Sequence, residues 1–307
     1  MKNKNEANEN VGNGQKTAVV TGSSSGIGYA TALKLARSGY LTFATMRNPA
    51  KGTELIREAE KENLPIKVEQ LDITDPDSIK DFMNKINRID VLVNNAGYVV
   101  FGSFEDLSMK EIQDQVDTNL LGTMRVTQQA LPIMRAQGSG RIVNVSSITG
   151  RFGLPGMSAY IATKFATEGL SESLAYEVEP FGIKVVLIEP GPVKTQIFDN
   201  RVVGRRALRE DSPYAGVLKN LNSSMNALWE RASTADQVAE TILQAITSPQ
   251  PKLRYPVGQD AIIWYDKQDL SCPLSCLSIA NHNKHAATCH SVLSQLEGRL
   301  FLALEQY

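Results

Sequence analysis

Short apolar segments alternate with longer segments of helical periodicity from residue 16 to about residue 258. Residues 183–188 are apolar nearly throughout, and strands that are apolar on both faces are typical of a parallel sheet covered by helices. The predicted strands are residues 17–21, 41–45, 66–71, 90–93, 141–145, 183–188 and 252–257, and the predicted helices are residues 27–38, 53–62, 78–87, 108–137, 157–180 and 234–247. Pro132 predicts a kink or break inside the fourth of these helices. The alternation predicts a single α/β domain, a doubly wound parallel sheet of about seven strands with helices on both faces.

The two ends of the chain differ from this alternating body. The first fifteen residues include five Asn and lack the apolar core of a signal peptide, so residues 1–15 are predicted to be disordered. Residues 259–307 form an atypical extension beyond the domain predicted for residues 16–258. A net charge of −1 gives no electrostatic reason to expect nucleic acid or a membrane surface as partner. Apolar runs stay short of the roughly 20 residues that span a bilayer, and a cytoplasmic location is expected.

Histidine and cysteine are confined to the C-terminal extension. All three Cys and all three His fall in the last 36 residues, so the body has neither imidazole nor thiol. This excludes Cys–His catalysis and histidine-ligated metal sites from the body, where acid–base chemistry must come from Tyr, Lys or carboxylates. A zinc site in the extension is conceivable, but its spacing fits no standard ligand set, and neither metal nor disulfide is predicted. The six residues are Cys272, Cys276, His282, His285, Cys289 and His290.

A Gly-rich turn separates the first predicted strand from the first predicted helix. Gly22, Gly26 and Gly28 allow a tight turn and let backbone N–H groups approach a pyrophosphate at the helix N-terminus, which predicts a dinucleotide site. Two alternatives are a Gly/Ser-rich loop without a ligand and the nucleophile elbow of a serine hydrolase, with Ser24 as nucleophile. The hydrolase needs a histidine, and the only candidates lie in the C-terminal extension.

A tyrosine and a lysine lie four residues apart near the start of a later helix. This spacing puts the Tyr160 phenol and the Lys164 ammonium on one helix face. A cation about 4 Å from a phenolate is worth roughly 4 kcal/mol at an effective dielectric of about 20, so Lys164 is expected to lower the pKa of Tyr160. Ser147, thirteen residues upstream of Tyr160, adds a hydroxyl, and Ser146 is an adjacent competitor for its role. A bare Tyr-x₃-Lys pair is also typical of a solvated helix face.

Together these motifs resemble the short-chain dehydrogenase/reductase family over roughly residues 16–258, and within it the members that resemble 17-beta-hydroxysteroid and retinol dehydrogenases. The resemblance is carried by residues 21–28, Asp72, Asn94-Asn95-Ala96-Gly97, Asn119, Ser147, Tyr160, Lys164 and Pro190-Gly191. It implies a Rossmann-type fold and an oxidoreductase that interconverts a ketone or aldehyde and an alcohol by hydride transfer. It further implies that Tyr160 is the acid/base, that Lys164 bonds the nicotinamide ribose and that Ser147 polarises the substrate carbonyl. Asn119 would hold a water in a proton relay.

The resemblance also implies a set of cofactor contacts. Asp72 corresponds to an aspartate that contacts the adenine, and a cap or turn aspartate is the alternative. Asn119 lies within a predicted helix, where Asn is a poor helix former, and a solvent-facing residue is the alternative. The implied contacts are Gly22, Ser24, Ser25, Gly26, Ile27, Gly28, Asp72, Ile73, Asn94, Ala96, Gly97, Tyr160, Lys164, Pro190, Gly191, Val193 and Thr195.

The residues after the second strand bear on the choice of dinucleotide. An acidic residue there would bond a ribose 2′-hydroxyl and repel a 2′-phosphate. The strand instead runs into Met46-Arg47-Asn48, and the planar guanidinium of Arg47 suits a phosphate. NADP(H) is therefore predicted over NAD(H), with a solvated loop charge as the alternative interpretation of Arg47.

The substrate and assembly are predicted by resemblance. Residues 192–233 correspond to the family's lid over a small-molecule carbonyl or alcohol substrate. A lipophilic substrate is predicted from apolar residues around the cleft, which are Val99, Val100, Phe101, Leu154, Met157 and Phe198. An anionic substrate held by Arg201, Arg205, Arg206 and Arg209 is the alternative. Helices 108–137 and 157–180 are expected to pair across subunits in a homodimer or homotetramer. A redox sensor that binds the dinucleotide without turnover is an alternative function.

Overall fold

One parallel sheet is the centre of the fold in this computed structural model, which describes residues 14–197, 200–207, 209–219, 231–259 and 261–262. The strands are β1 (Thr17–Thr21), β2 (Leu41–Met46), β3 (Ile66–Gln70), β4 (Val91–Asn94), β5 (Val100–Phe101), β6 (Gly140–Val145), β7 (Ile183–Pro190), β8 (Val193–Lys194), β9 (Val202–Val203), β10 (Ser233–Thr234) and β11 (Arg254–Val257). Seven of these form the sheet, in the order β3–β2–β1–β4–β6–β7–β11, and all neighbouring pairs are parallel. The predicted seven-stranded parallel sheet is confirmed.

Helices cover both faces of this sheet. They are α1 (Gly26–Arg37), α2 (Thr53–Glu62), α3 (Pro76–Met83), α4 (Met109–Val116), α5 (Thr123–Gln137), α6 (Ser158–Val178) and α7 (Ala235–Thr247). Alternate residues of β1 point to opposite faces, so Val19 packs in a cluster with Phe82 and Leu174, whereas Val20 packs in a cluster with Ile242. Burial of each such side chain contributes about 1.5–3 kcal/mol. The two cores confirm the α/β doubly wound class.

Local capping explains where two of the helices begin. Thr234 and Gln237 form a reciprocal capping box that starts α7 at Ala235, one residue after the predicted start at residue 234. Asp75 caps α3, and Pro76 occupies its first turn, where a missing N–H is tolerated. The helix therefore begins two residues before the predicted start at residue 78.

The long helix predicted at residues 108–137 is divided at a different place from Pro132. Helix α5 runs unbroken through Pro132, so the predicted break there is wrong. Pro132 removes the hydrogen bond to residue 128, and Gln128 is exposed, so water can satisfy its carbonyl. The regular α-helix is instead interrupted at a π-helical segment, Asp117–Gly122, between α4 and α5. Such segments occur frequently at functional sites.

Candidate active site

The carboxyl ends of four central strands meet at one edge of the sheet. β1 lies between β2 and β4, so the chain leaves β1 in one direction and returns on its other side, which opens a crevice at this edge. The Gly-rich turn follows β1, residues 95–97 follow β4, Ser147 follows β6 and Gly191 follows β7. Motifs that are far apart in the sequence therefore surround one crevice.

The turn after β1 requires glycine for reasons of backbone shape and of space. Gly22 has a φ of +69° and Gly26 a φ of +57°, in the left-handed region that favours glycine. A methyl group at Gly28 would lie 2.3 Å from the Gly22 carbonyl oxygen. A methyl group at Gly22 would lie 2.8 Å from Ala96 Cα, and one at Gly26 would lie 3.2 Å from Thr195 Cβ. Ala96 and Thr195, both predicted cofactor contacts, therefore border the turn.

The N-terminus of α1 opens into the same crevice. Ser25 is exposed, and Ser24 and Ile27 are half-buried. Ser25 is the residue before the helix, and within the described residues its side chain makes no capping hydrogen bond. The first turn of α1 also carries no acidic residue. Its backbone N–H groups and the positive end of the helix dipole are thus suited to a phosphate.

An asparagine that the site prediction omitted holds the turn in position. Asn95 Nδ2 donates to the carbonyl oxygens of Thr21, at 2.9 Å, and Gly22, at 3.2 Å. Thr21 Oγ1 in return accepts from the backbone N–H groups of Asn95 and Ala96, each at 3.0 Å. Asn95 thus joins the ends of β1 and β4. Its place in the Asn-Asn-Ala-Gly motif was the signal available in the sequence.

Asn94 braces the sheet rather than facing the crevice with its amide. Its Nδ2 donates to Thr127 Oγ1 at 2.9 Å and to Asn144 Oδ1 at 2.8 Å. Asn144 Nδ2 continues the chain to Ser171 Oγ at 2.8 Å. This buried network connects β4, β6, α5 and α6.

Residues predicted at the adenine side occupy the ends of β2 and β3. Asp72 forms a turn in which its Oδ1 accepts from Thr74 N at 2.9 Å and from Thr74 Oγ1 at 2.7 Å, which matches the turn alternative. Ile73 is buried, so only its backbone can face a ligand. Arg47 is exposed directly after β2. Burial raises the pKa of Tyr98 and the charge of Arg47 acts in the opposite direction, so the guanidinium lies within electrostatic range of Tyr98.

Asn119 lies in the π-helical segment and holds the loop that follows β4. It is 5% exposed, which excludes the solvent-facing alternative. Its Nδ2 donates to Tyr98 O at 2.9 Å, and its Oδ1 accepts from Tyr98 N at 3.1 Å. A methyl group at Gly97 would lie 3.2 Å from Asn119 Oδ1. The side chain of Asn119 therefore fixes the position of Gly97 and Tyr98.

The Tyr160 and Ser147 hydroxyls meet in the crevice. Burial raises the pKa of Tyr160 to about 12, and a hydrogen bond with Ser147 acts in the opposite direction. Ser147 Oγ accepts from Thr149 N at 3.1 Å and Thr149 Oγ1 at 2.9 Å, and it lies 3.5 Å from Pro190 O. The serine is thus held between the ends of β6 and β7, close enough to Tyr160 to affect its pKa.

Lys164 shares the helix face of Tyr160 but does not lower the pKa of the Tyr160 phenol. Lys164 Nζ donates to Val145 O at 2.8 Å and lies 5.5 Å from the centroid of the Tyr160 ring. Burial lowers the pKa of Lys164 to about 8, while the charge of Glu168 raises it. The expected lowering of the Tyr160 pKa by Lys164 is therefore corrected: burial of the phenol dominates, and Ser147 is the neighbour that opposes it.

The two adjacent serines point to different surroundings. Ser146 is 3% exposed, and a methyl group at Gly150 would lie 2.9 Å from its Oγ and 3.2 Å from Glu168 Oε1. Ser146 therefore lies beside Glu168, away from the crevice. Ser147, rather than Ser146, contacts Tyr160.

Apolar side chains surround the phenol on the side away from the glycine turn. Tyr160 packs against a cluster that joins residues near β5 and α6 to the predicted lid. Its members are Val99, Phe101, Leu154, Met157, Ile161, Ile197, Val203, Ala207 and Leu218. Val100 packs instead with Leu107 and Ala159, because alternate residues of β5 face opposite ways. The predicted cleft residue Phe198 lies outside the described residues.

The segment after β7 closes the crevice. Gly191 N donates to Val257 O at 2.9 Å, which ties the segment to β11. Val193 is buried and pairs with Ser233, so its backbone rather than its side chain is available to a ligand. Thr195 packs against the turn at Gly26.

Three other expectations concern histidine, metal and membrane. The described residues contain no histidine, so Ser24 has no imidazole base among them. No group of three or more His, Cys, Asp or Glu side chains suited to a metal occurs in the part of the chain that the structure describes. The six Cys and His residues of the extension lie outside it. None of the described helices is long and apolar enough to cross a bilayer.

This fold and this site define an α/β protein of the doubly wound class, with a Gly-rich crevice at the carboxyl edge of its sheet. A profile of the short chain dehydrogenase family matches residues 16–205. The chain belongs to the short-chain dehydrogenase/reductase family, as the resemblance of its motifs implied.

Relatives of known sequence and structure agree with that assignment. The chain is 40% identical to the uncharacterized oxidoreductase YusZ of Bacillus subtilis over 80% of this chain and 90% of YusZ. It is 36% identical to human 17-beta-hydroxysteroid dehydrogenase type 1 over 77% of this chain and 76% of that enzyme. An actinorhodin polyketide ketoreductase, solved with NADPH, superposes with a TM-score of 0.69 at 26% identity over 80% of this chain and 97% of the ketoreductase.

Proposed function

We propose that the protein is an NADP(H)-dependent oxidoreductase that interconverts a ketone or aldehyde and an alcohol, with Tyr160 as the acid/base. The observation that carries this proposal is the meeting of the Tyr160 and Ser147 hydroxyls at the carboxyl edge of the sheet, the edge that also carries the Gly-rich turn. A carbonyl that receives hydride develops negative charge on oxygen, and two converging hydroxyl donors suit that charge.

The residues take distinct parts in this chemistry. Bound NADPH supplies the hydride. Ser147 donates a hydrogen bond to the carbonyl oxygen, and Tyr160, protonated at neutral pH because its pKa is raised, delivers the proton. Lys164 is charged at neutral pH, since its pKa is about 8. An ammonium has three donors, so after its bond to Val145 two remain for the nicotinamide ribose.

Asn119 and the crevice residues would hold the reactants. The side chain of Asn119 is taken up in positioning Gly97 and Tyr98. Its backbone carbonyl accepts from Thr123 Oγ1 at 3.1 Å, so a water relay through Asn119 would share that carbonyl oxygen with Thr123. The Gly-rich turn and the start of α1 would take the pyrophosphate, and Asp72, Ile73, Gly97, Pro190, Gly191, Val193 and Thr195 would contact the rest of the dinucleotide, largely through backbone groups.

The preference for NADP(H) rests on Arg47. It is exposed at the end of β2, where an NAD(H) enzyme would have an acid, and a relative in the family was solved with NADPH. Arg47→Asp is expected to lower kcat/KM with NADPH by about 10- to 100-fold and to raise the NADH/NADPH ratio. Arg57→Asp, the same charge change at an exposed position of α2, is the control. A higher kcat/KM with NADH than with NADPH in the wild type would overturn the preference.

A lipophilic substrate is supported by the apolar cluster around Tyr160. Human 17-beta-hydroxysteroid dehydrogenase type 1, named for a steroid, is one of the relatives. For the anionic alternative, Arg209 is already paired with Asp211 at 2.6 Å. NADPH oxidation over a panel of carbonyl compounds tests the proposal: we expect turnover of steroid and long-chain ketones, and turnover of small sugars or carboxylates alone would contradict it.

Assembly as a homodimer or homotetramer is part of the same proposal. The helical segments expected to pair across subunits carry apolar side chains exposed to solvent, which are Met109, Leu121, Phe165 and Tyr176. A cytoplasmic location stays a prediction from the sequence.

A further inference from the structure

Two glutamates lie buried against each other behind the active helix face. Glu168 is on α6, one helical turn after Lys164, and is 7% exposed. Glu189 is on β7, directly before Pro190, and is 1% exposed. Neither glutamate belongs to the predicted catalytic or cofactor-binding residues. Buried carboxylates are unfavourable unless they are paired and hydrogen-bonded, so this pair requires an explanation.

Two arginines face the pair. Arg254 Nε lies 3.2 Å from Glu168 Oε2 and 3.4 Å from Glu189 Oε1, and Arg151 NH1 lies 3.7 Å from Glu189 Oε1. Arg254 also contacts Glu172, which lies at the exposed end of the group. With Lys164, these are the charged groups that approach the pair from α6, β11 and the segment after β6.

The hydrogen-bonding of the pair is incomplete when both glutamates are charged. Within the described residues, Glu168 Oε1 and both side-chain oxygens of Glu189 accept no hydrogen bond. The Ser146 hydroxyl lies beside Glu168 and can donate to that carboxylate, whereas Glu189 has no such neighbour among the described side chains. A single proton between the two carboxyl groups provides a donor for Glu189 and removes the repulsion. Burial raises the pKa of Glu168, and burial together with the Glu168 charge raises the pKa of Glu189 to about 7.

The pair is electrically connected to Lys164. Residues four apart on a helix are neighbours, and the negative charge of Glu168 raises the pKa of Lys164 against the effect of burial. Without that charge, the pKa of Lys164 would fall further below its ordinary value. The amine would then lose the charge that the proposed reaction requires.

Building on the proposed function, we propose that Glu168 and Glu189 share one proton and that their remaining negative charge keeps Lys164 protonated. Glu168 is then a positioning residue, because it acts through Lys164 and contacts no reacting atom. The location of the shared charge matters: it is close to Lys164 when on Glu168 and more distant when on Glu189.

Two variants separate these locations. Glu168→Gln leaves the charge on Glu189, so the pKa of Lys164 is expected to fall by about one unit. Glu189→Gln confines the charge to Glu168, so the pKa of Lys164 is expected to rise. The pKa is measured by competitive acetylation of Lys164 with trace acetic anhydride across pH, followed by mass spectrometry of the full-length protein. Glu172→Gln, which also removes a partner of Arg254 but at an exposed position, is expected to leave the pKa unchanged.

The proton itself can be observed by infrared spectroscopy. Wild-type protein at pH 6 is expected to show the C=O stretching band of a protonated buried carboxyl, titrating with a midpoint near 7. Each Gln variant should lose the band, because the single remaining carboxyl ionises beside Arg254. Absence of the band in the wild type overturns the proposal, even if a variant fails to fold.

The possible outcomes distinguish failure of this proposal from failure of the proposed function. A lower melting temperature in both Gln variants without any change in the Lys164 pKa would make the pair a structural ion cluster and overturn its positioning role. Neither the labelling nor the infrared measurement needs turnover. A wild-type protein that reduces no carbonyl compound would therefore contradict the proposed function alone.

Discussion

The two serines after β6 differ in what their hydroxyls contact. Ser147 contacts Tyr160 in the crevice, whereas Ser146 is buried beside Glu168. Ser147→Ala is expected to lower kcat by about 10²- to 10³-fold, the effect of removing one donor to a developing oxyanion. Ser146→Ala is the matched control. It should keep kcat within about threefold, because Ser146 lies beside Glu168 and supplies no donor to the substrate oxygen. Steady-state kinetics with NADPH measures both, and equal losses would contradict the assignment.

At this scale the sequence predicted residue types better than their interactions. The spacing of Tyr160 and Lys164 was sufficient to predict a shared helix face. It could not predict that Lys164 Nζ would bond Val145 O, because that carbonyl belongs to another element. The choice between Ser146 and Ser147 likewise depends on which serine lies beside Tyr160 and which beside Glu168, and both of these contacts are distant in the sequence.

At the scale of elements, the π-helical segment between α4 and α5 is fixed by close packing. A methyl group at Gly122 would lie 2.7 Å from Ile73 Cδ1 and 3.1 Å from Ile73 O. Gly122→Ala is therefore expected to lower the free energy of unfolding by about 1–3 kcal/mol, measured by urea denaturation.

Gly169 offers a control within a helix. A methyl group there would meet nothing within 4 Å, and Gly169 is exposed on α6. Gly169→Ala should stabilise the protein by about 0.5–1 kcal/mol, because alanine is the better helix former. If Gly122→Ala and Gly169→Ala lowered the free energy of unfolding equally, crowding at Ile73 would not be the cause of the loss in Gly122→Ala.

Elements with strong local signals were predicted well, and those that depend on distant contacts were not. Helix α2 begins and ends at the predicted residues, and strand β1 does as well. The π-helical segment was not predicted, because its residue Asn119 hydrogen-bonds the backbone of Tyr98 in the loop after β4. No local pattern in residues 108–137 contains that information.

At the scale of the whole molecule, the buried glutamate on β7 makes stability depend on pH. The pKa of Glu189 is raised from 4.5 to about 7 by burial and by Glu168. Between these pH values the folded state keeps a proton that the unfolded state releases, so the stability that this group contributes is fully present below about pH 4.5 and is lost as pH rises through 7. The loss amounts to about 3 kcal/mol at most, at about 1.4 kcal/mol per pKa unit.

Urea denaturation across that pH range tests this linkage. The wild type should lose stability from pH 5 to pH 8 through this group, and Glu189→Gln should have a smaller slope. A slope that is equal in the two proteins would assign the pH dependence to other groups.

The topology of the molecule was predicted in part. Alternating apolar and helical segments were sufficient for a parallel sheet of about seven strands. The alternation was not sufficient to predict the order of the strands, because that order depends on which connections cross over β1. That order creates the crevice in which the Gly-rich turn, Asn119, Ser147 and Tyr160 come together.

The proposed carbonyl reduction depends on Tyr160 as the proton donor to the substrate. Tyr160→Phe keeps the ring and its packing but removes the hydroxyl. We therefore expect kcat for NADPH-dependent carbonyl reduction to fall by about 10²- to 10⁴-fold. NADPH affinity, followed by cofactor fluorescence, should change less than about threefold, because the phenol is not among the groups proposed to hold the phosphates. Turnover at the wild-type rate in Tyr160→Phe would contradict the central claim.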